Sequence, residues 1–194
     1  LGRMIKEAGI NFNAIEPERN DSPFGEYSGA GTIFGASGGV AEAAVRTAYE
    51  FATNEPLNDV DIKSLRGTSN RCRDIELDLK GTKLVVRVVS TLKEAEKSLK
   101  EIKEGKAPFH MLEVMACPGG CINGGGQPRS YDDSKIKGER AEGLYKEDAE
   151  LPLRKSHFNP SIRKLYNEYL QEPNSHKAHE LLHTIYTCLL YTSP

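Results

Sequence analysis

Two cysteines in a glycine-rich loop are the feature that most limits what this chain can fold around. The stretch Glu113–Pro128 reads EVMACPGGCINGGGQP: a largely apolar run leads to Cys117 and Cys121, with five glycines and two prolines in the stretch. Glycine has no Cβ, so the backbone N–H groups of such a loop can approach a bulky inorganic cluster and bond its sulfurs. Pro118 removes one competing donor and fixes φ in the turn. The stretch predicts a loop that holds something large, anionic and rich in sulfur.

The spacing of the two thiols also fits three simpler sites: a disulfide, half of a structural zinc site, or a pair of buried thiols. A disulfide is disfavoured because the sequence shows no sign of secretion, and thiols stay reduced inside cells. Zinc would require a second ligand pair, and the other cysteines, Cys72 and Cys188, are isolated with no His at ligand spacing nearby. The residues alone leave an iron–sulfur site and these alternatives open. A cubane needs four ligands, and this loop supplies two.

Length and composition set broad limits. A chain of 194 residues fits one or two domains, and a hydrophobic fraction of 38% with 28% charged residues is typical of a globular protein. The net charge of −2 gives no electrostatic reason to expect nucleic acid or anionic membranes as partners. No apolar run reaches the length of a membrane span.

Both ends of the sequence look cut. Leu1 is not an initiator residue, and Leu1–Ala8 already reads as the end of a helix, so we expect an N-terminal part to be missing. At the other end, residues 188–194 (CLLYTSP) can be encoded by TGT CTC TTA TAC ACA TCT CCN, which resembles a transposon adapter used in sequencing libraries. We therefore expect 188–194 to be a sequencing artefact and Cys188 not to be native. Resequencing with a different library chemistry tests this.

A second glycine-rich stretch, Gly29–Gly39, precedes a helix predicted over Val40–Ala52. In that helix Glu42, Arg46 and Glu50 follow one another at a spacing of four and form a polar stripe. The apolar residues are predicted to face away from it: Val40, Ala44, Ala48 and Phe51. A nucleotide-binding loop is disfavoured because no strand precedes the glycines and no Gly-Lys-Ser/Thr follows them. Close packing of backbone against a buried object fits better.

The middle of the chain predicts an α/β lobe. Asp74–Leu79 and Leu84–Val89 read as a β-hairpin, and Thr91–Glu94 reads as a capping box that starts a helix reaching Gly105. Phe109–Met115 reads as a short strand that ends at the cysteine loop. The cysteines would then lie at the carboxyl end of a strand, where open sheets bind their ligands.

Residues 131–187 predict a separate helical appendage. Helices are expected over 134–148, from the N-cap and N1 pair Asn159-Pro160, and after Ser175. The segment has too few apolar residues for a core of its own, so we expect it to wrap onto the first part.

The last of these helices contains His179–His183 (HELLH), which matches the H-E-x-x-H pattern of zinc hydrolases. Such a site needs a third protein ligand, normally downstream. None of the eleven residues after His183 is His, Asp or Glu. A zinc hydrolase is therefore the weakest alternative.

Taken together, these segments resemble the C-terminal portion of an iron-only (FeFe) hydrogenase, over roughly Leu1–Thr187. EVMACPGGCINGGGQP is similar to the third cysteine motif of the family's H-cluster domain, and GAGTIFGASGGVAEAAVRTAYE resembles its glycine-rich helix start. LRKSHFNP and LYNEYLQEPNSHKAHELLHTIY resemble the small-subunit segment, which is fused in some members and separate in others. The resemblance implies one lobe of a two-lobed H-cluster domain (residues 1–130), in which helices flank a sheet, followed by an α-helical C-terminal wrap (131–187).

The resemblance also implies a cofactor and its ligands. The H-cluster is a 4Fe–4S cubane bridged to a diiron subcluster with CO, CN and azadithiolate ligands. Cys117 matches the cysteine that binds only the cubane, and Cys121 matches the cysteine that bridges to the diiron unit. Met115 matches a methionine that lines the diiron pocket, and Phe34 and Val40 fall where the glycine-rich segment approaches that pocket. Where the family usually has Met after GGV, this chain has Ala41.

The implied activity is the reversible interconversion of protons plus electrons and H2 in the cytoplasm, with electrons exchanged with ferredoxin or NAD(P)H through partner clusters. The remaining cubane ligands and the proton relay would lie in the missing N-terminal part, so we expect no catalytic residues here and no activity from this fragment alone. The alternative is a non-catalytic hydrogenase-like iron–sulfur protein that serves cluster assembly or sensing.

Overall fold

The elements follow one another in the order that the sequence predicts. The computed structural model describes residues 1–18, 21, 25–68, 70–128 and 132–184. Within these residues the α-helices and strands are α1 (Gly2–Glu7), α2 (Gly29–Thr32), α3 (Gly39–Thr53), β1 (Cys72–Leu79), β2 (Thr82–Ser90), α4 (Leu92–Lys103), β3 (Met111–Met115), α5 (Asp133–Glu150), α6 (Pro160–Leu165) and α7 (His176–Leu182). The α/β class, with a sheet flanked by helices and a helical C-terminal part, is confirmed.

The three strands form one sheet in the order β1-β2-β3. β1 and β2 make the predicted antiparallel hairpin, in which Cys72 pairs with Val89. β3 runs parallel to β2, with Met111 opposite Val86, and the chain crosses between them through α4. β3 begins two residues later than predicted and ends at Met115. The cysteine loop therefore starts at the carboxyl end of a parallel strand, as expected.

One face of the sheet packs against α3. The buried apolar side chains of this core come from α3, the segment before β1, and the first two strands: Ala41, Val45, Leu65, Ile75, Val86 and Val88. Burying each of the larger aliphatic side chains contributes about 1.5–3 kcal/mol, so this core is the main source of stability in the first part. α3 begins after Gly38 and ends before Asn54, and both of these flanking residues adopt left-handed backbone.

The polar stripe of α3 is real, but it faces the interior, which the sequence did not indicate. Glu42 and Arg46 are both fully buried, whereas Phe51, predicted to face away from the stripe, is 73% exposed. The reason is tertiary: Arg46 donates to Asp148 Oδ1 and Oδ2 of α5 at 2.9 and 2.8 Å and to Glu42 at 2.7 Å. Complete pairing makes burial of these charges possible.

α4 also departs from its prediction at its start. Thr91 has φ of 87° and its side chain caps no helical N–H, so the predicted capping box does not form. The helical spacing of apolar residues is confirmed, but Leu92, Leu99 and Ile102 are 72%, 57% and 47% exposed in this chain. α4 covers the sheet mainly through small residues, Ala95 and Ser98, which are buried.

The C-terminal segment (residues 132–184) joins the first part through charged groups as well as through apolar ones. Six residues form a charge cluster across the junction, called the buried charge cluster here because its centre is buried: Glu42, Arg46, Asp61, Arg66, Asp148 and Arg154. Glu42, Arg46 and Asp148 are fully buried, and the other three are partly exposed. Asp148 is fully buried at its centre and accepts hydrogen bonds from both Arg46 and Arg154. The expectation that this segment lacks its own core and packs on the first part agrees with this junction.

The predicted caps of the C-terminal segment form. The Asn159 side chain accepts from the backbone N–H of Ser161 and Ile162, with Pro160 at the first position of α6. The Ser175 side chain accepts from Ala178 N and caps α7. In the part of the chain that the structure describes, none of the helices combines the length and apolarity needed to cross a membrane.

Asp148→Asn should weaken the junction strongly, because it leaves the buried Arg46 and the partly exposed Arg154 without their shared carboxylate. We expect the free energy of unfolding of the complete protein to fall by about 3–5 kcal/mol, measured by chemical denaturation. The matched control is Glu150→Gln, two residues away on the exposed side of the same helix, with an expected change within about 0.5 kcal/mol. Equal, small effects of the two substitutions would contradict a central role for Asp148.

A second contact between α3 and the C-terminal segment should respond to acid. Burial raises the pKa of Glu50, but hydrogen bonds from Lys155, the Leu57 backbone N–H and His157 outweigh this and lower it from its ordinary 4.5 to about 2. A carboxylate with a lowered pKa stabilises the folded state above its unfolded pKa, and that contribution is lost as the pH falls through the folded value.

The difference in unfolding free energy between the parent and Glu50→Gln should therefore be large at neutral pH. This difference should decrease towards zero as the pH falls from about 4.5 towards about 2. Denaturation across this pH range measures it, and a difference that does not depend on pH would show that Glu50 acts without its charge.

Candidate functional site

Two loops meet beside the carboxyl end of β3: the cysteine loop (residues 116–128) and the glycine-rich loop (residues 33–39). The Ser37 backbone N–H donates to Gly119 O at 3.0 Å. A Cβ on Gly120 would lie 2.7 Å from Gly35 O and 2.8 Å from Ser37 N, and Gly120 has φ of 91°. Both the close approach and the left-handed backbone require glycine at this position.

The two cysteines bracket a tight turn of the cysteine loop. Gly120 N donates to Cys117 O at 3.0 Å, and Gly124 N donates to Cys121 O at 3.1 Å. A Cβ on Gly124 would lie 3.6 Å from Cys117 Sγ, so the first thiol points towards the returning chain. Cys117 is partly exposed, Cys121 is exposed, and neither forms a disulfide. The loop thus presents two accessible thiols, and the disulfide alternative is wrong for this structure.

A buried carboxylate connects the strand before the cysteines to the helix after the glycines. Glu113 of β3 is 5% exposed. Its Oε1 accepts from Gly38 N at 2.6 Å and its Oε2 from Ala41 N at 2.7 Å, so it caps the N-terminus of α3 from another element. Burial raises the pKa of Glu113, while the two N–H groups and the nearby Arg73 act in the opposite direction.

The structure brings the three predicted pocket residues to these two loops. Met115 is the last residue of β3 and is partly buried. Phe34 is 45% exposed in the turn Ile33–Gly35, which contacts the turn that begins at Cys121. Val40 lies in the first turn of α3 and is partly buried. Ala41, where the resembling family usually has Met, is fully buried, so a larger side chain there would require different packing.

Two residues of this site were missed from the sequence. Glu113 is a lone carboxylate within the apolar strand MLEVM, and that contrast is a signal that could have indicated a buried acceptor. Arg140 of α5 donates to the carbonyls of Ile122 and Pro128, both at 2.8 Å. Nothing in the local pattern of α5 distinguishes Arg140 from its charged neighbours, because its partners lie more than ten residues away.

Family models match both parts of the chain. The model described as iron only hydrogenase large subunit, C-terminal domain, matches residues 1–125. The chain belongs to the iron-only hydrogenase family. The model described as iron hydrogenase small subunit matches residues 134–188. The resemblance drawn from the motifs is confirmed, and membership of this family implies an iron–sulfur cofactor.

Relatives of the hydrogenase type match nearly the whole chain. The NADP-reducing hydrogenase subunit HndD of Solidesulfovibrio fructosivorans is 45% identical over 186 residues, which are 96% of this chain and 32% of that protein. Iron hydrogenase 1 of Clostridium pasteurianum is 43% identical over 190 residues, 96% of this chain and 33% of that protein. This chain therefore spans about a third of the length of the curated relatives it matches.

A solved FeFe-hydrogenase from Chlamydomonas reinhardtii has the same fold. It superposes with a TM-score of 0.70 at 39% identity, covering 95% of this chain and 53% of that one. A relative with a different role also matches: the cytosolic Fe-S cluster assembly factor narfl of Xenopus tropicalis is 28% identical over 189 residues, 95% of this chain and 39% of that protein. The fold of the hydrogenase C-terminal domain is thus confirmed.

The two histidines of the HELLH segment lie close together, with His179 in α7 and His183 directly after it. The rings of His179 and His183 stack with centroids 4.4 Å apart. Among the residues that the structure describes, no group of three or more His, Cys, Asp or Glu side chains is arranged to hold a metal ion. In an iron-only hydrogenase this helix belongs to the small-subunit segment, where the resemblance implies no zinc.

Glu113→Gln should weaken the contact between β3, which precedes the cysteine loop, and the start of α3, which follows the glycine-rich loop. The amide can accept one N–H through its oxygen, but its NH2 group then faces the other N–H donor. We expect a loss of about 1–3 kcal/mol of stability and faster hydrogen exchange at the Gly38 or Ala41 amide. Glu76→Gln, at an exposed position of β1, is the matched control. Unchanged exchange at both amides would contradict the bridging role of Glu113.

Proposed function

We propose that this chain is the C-terminal part of an iron-only hydrogenase that interconverts protons plus electrons and H2 at an H-cluster. The observation that carries the proposal is the joint between the cysteine loop and the glycine-rich loop. They approach so closely that Gly120 has no room for a Cβ, and Glu113 of β3, the strand that leads into the cysteine loop, accepts hydrogen bonds from Gly38 and Ala41 at the start of α3. The match to hydrogenase relatives over 96% of the chain supports the same conclusion.

The donor set of the loop fits half of a cubane. Two thiols, with three residues between them, stand on a loop that contains five glycines, and both are at least partly exposed. Cys117 would bind the cubane alone, and Cys121 would link it to the diiron unit. The other two cubane ligands would come from the N-terminal part of the complete protein. The H-cluster, when bound, supplies the electron transfer and the reduction of protons.

The neighbouring side chains would shape the environment of this cofactor. Met115, Phe34 and Val40 would form apolar walls of the diiron pocket, and such walls exclude water and tune the cluster's potential. Met115 adds a polarisable sulfur. None of these residues transfers a proton; that relay would lie upstream, so the fragment by itself would be inactive.

The organisation of the chain follows from the same proposal. Residues 1–130 would be the large-subunit part and 131–187 the fused small-subunit segment. The artefact proposed for 188–194 lies outside the described residues. Electrons would be exchanged with ferredoxin or NAD(P)H through further clusters, and the NADP-reducing relative supports the nicotinamide option. The fused segment favours a cytoplasmic enzyme, by analogy within the family.

The alternative is a non-catalytic relative that serves iron–sulfur assembly or sensing, which the match to the cytosolic assembly factor favours. The DNA sequence upstream of the Leu1 codon, read on the same molecule, distinguishes the two. A frame with two further cysteine motifs, one carrying a proton-relay cysteine beside the first cubane ligand, supports the enzyme. A frame without the relay cysteine supports the alternative.

Cys121→Ala in the complete protein should abolish retention of the diiron unit and hydrogen evolution, because it removes the proposed bridging sulfur. Iron content and hydrogen evolution after anaerobic maturation measure this. Cys72→Ala is the matched control, since Cys72 lies exposed at the start of β1 and should leave both quantities unchanged. Activity retained by Cys121→Ala would refute the bridging role.

His179→Ala should leave hydrogen evolution nearly unchanged. This residue lies on α7, and the proposal gives the HELLH segment no metal and no role in the reaction. A complete loss of activity, without loss of the folded protein, would show that the last helix has been misinterpreted.

A further inference from the structure

The three consecutive glycines of the cysteine loop, Gly124–Gly126, form a stretch that makes few packing contacts. At Gly125 and Gly126 no heavy atom lies within 4 Å of the position that a Cβ would occupy. The stretch borders a cavity of about 510 Å³ lined by residues 123–128 and Asp133. Within the stretch, Gln127 N reaches Gly124 O at a long 3.3 Å. Glycine-rich backbone is also the most flexible when nothing restrains it. The position of this stretch therefore depends on contacts at its two ends.

One side chain of the C-terminal segment contacts both ends. Arg140 Nη1 donates to Ile122 O and Nη2 donates to Pro128 O, each at 2.8 Å. A guanidinium is planar and always charged, and its donors stand at fixed angles, so it can set the separation of two acceptors. Hydrogen bonds from a charged donor are also stronger than neutral ones. Ile122 directly follows Cys121, so the restraint acts one residue from the second thiol.

α5 holds Arg140 firmly against the first part of the chain. Ala141, the next residue, is buried in an apolar cluster with Ala36 and Ile122. A Cβ on Gly35 would lie only 2.8 Å from Leu144, which shows how closely α5 approaches the glycine-rich loop. Near its C-terminal end α5 carries Asp148 of the buried charge cluster. The guanidinium is thus attached to a helix that packs on the first part both beside Arg140 and near its C-terminal end.

We propose that Arg140 is a positioning residue, through which the small-subunit segment holds the cysteine loop in the geometry that receives the iron–sulfur cofactor. The inference rests on the proposed function and gives this segment a role in it. Arg140 binds no iron; it acts through the carbonyls that bracket residues 122–128. Loss of the two hydrogen bonds from Arg140 should leave the protein folded. The cysteine loop should then be more mobile, and the protein should retain its iron less well.

The test compares Arg140→Met and Arg140→Lys in the complete, anaerobically matured protein. The control is Lys146→Met, at a highly exposed position of the same helix. The readouts are hydrogen exchange over residues 121–128 in the iron-free protein, the rate of iron loss to a chelator, and the thermal midpoint. Arg140→Met should raise loop exchange and iron loss by about tenfold or more, because it removes two hydrogen bonds from a charged donor, which are stronger than neutral ones.

The thermal midpoint and the hydrogen exchange of α5 distinguish a local effect on the cysteine loop from a general loss of protein stability. The thermal midpoint and the exchange of α5 itself should stay close to those of the Lys146→Met control. Arg140→Lys should restore part of the effect, since an ammonium can reach one carbonyl but not both in the same plane. Unchanged loop exchange and iron loss in Arg140→Met would overturn the inference, as would a parallel loss of protection throughout α5. A parent protein that takes up no iron would instead overturn the proposed function. Hydrogen exchange of the loop would then still show whether the two Arg140 hydrogen bonds restrain it.

Discussion

The close approach of two glycine-rich backbones is the constraint on which the rest of this structure depends. Gly120 lies so near Gly35 and Ser37 that any side chain would collide with backbone atoms. At Gly120 itself no side chain can contribute to the contact, although Ala36 and Ile122 of the same two loops pack together nearby. The backbone contact therefore benefits from an anchor beside it. Glu113 provides the anchor by accepting two backbone N–H groups at the start of α3. A carboxylate is suited to this because its two oxygens can accept both bonds at once.

The cost of burying that carboxylate explains its surroundings. A buried charge is unfavourable unless hydrogen bonds replace its water, and Glu113 has short bonds to two donors at the positive end of the α3 dipole. The same logic holds on a larger scale in the buried charge cluster, where six charged side chains join α3 to the C-terminal segment. Well-packed apolar residues of similar volume could stabilise that junction as effectively.

These two arrangements converge on the cysteine loop. One side of the loop is fixed by β3 and Glu113, and the other is bracketed by Arg140 from α5. The loop is thereby held between the large-subunit and small-subunit parts of an iron-only hydrogenase. A loop that presents two thiols to a cluster benefits from such restraint, because ligands held in place before the cluster arrives lose less conformational entropy when it binds.

The sequence by itself determined the local structure and the family. Hydrophobic alternation predicted the β1–β2 hairpin, Asn159-Pro160 predicted the start of α6, and the motif around Cys117 and Cys121 indicated the family. These signals are local, since each depends on residues within about one turn or one strand. The buried face of α3, the exposed apolar face of α4, the absent capping box at Thr91 and the roles of Glu113 and Arg140 were decided by tertiary structure alone. Each depends on partners far along the chain, and a charged residue reads as exposed until its distant counterion is known.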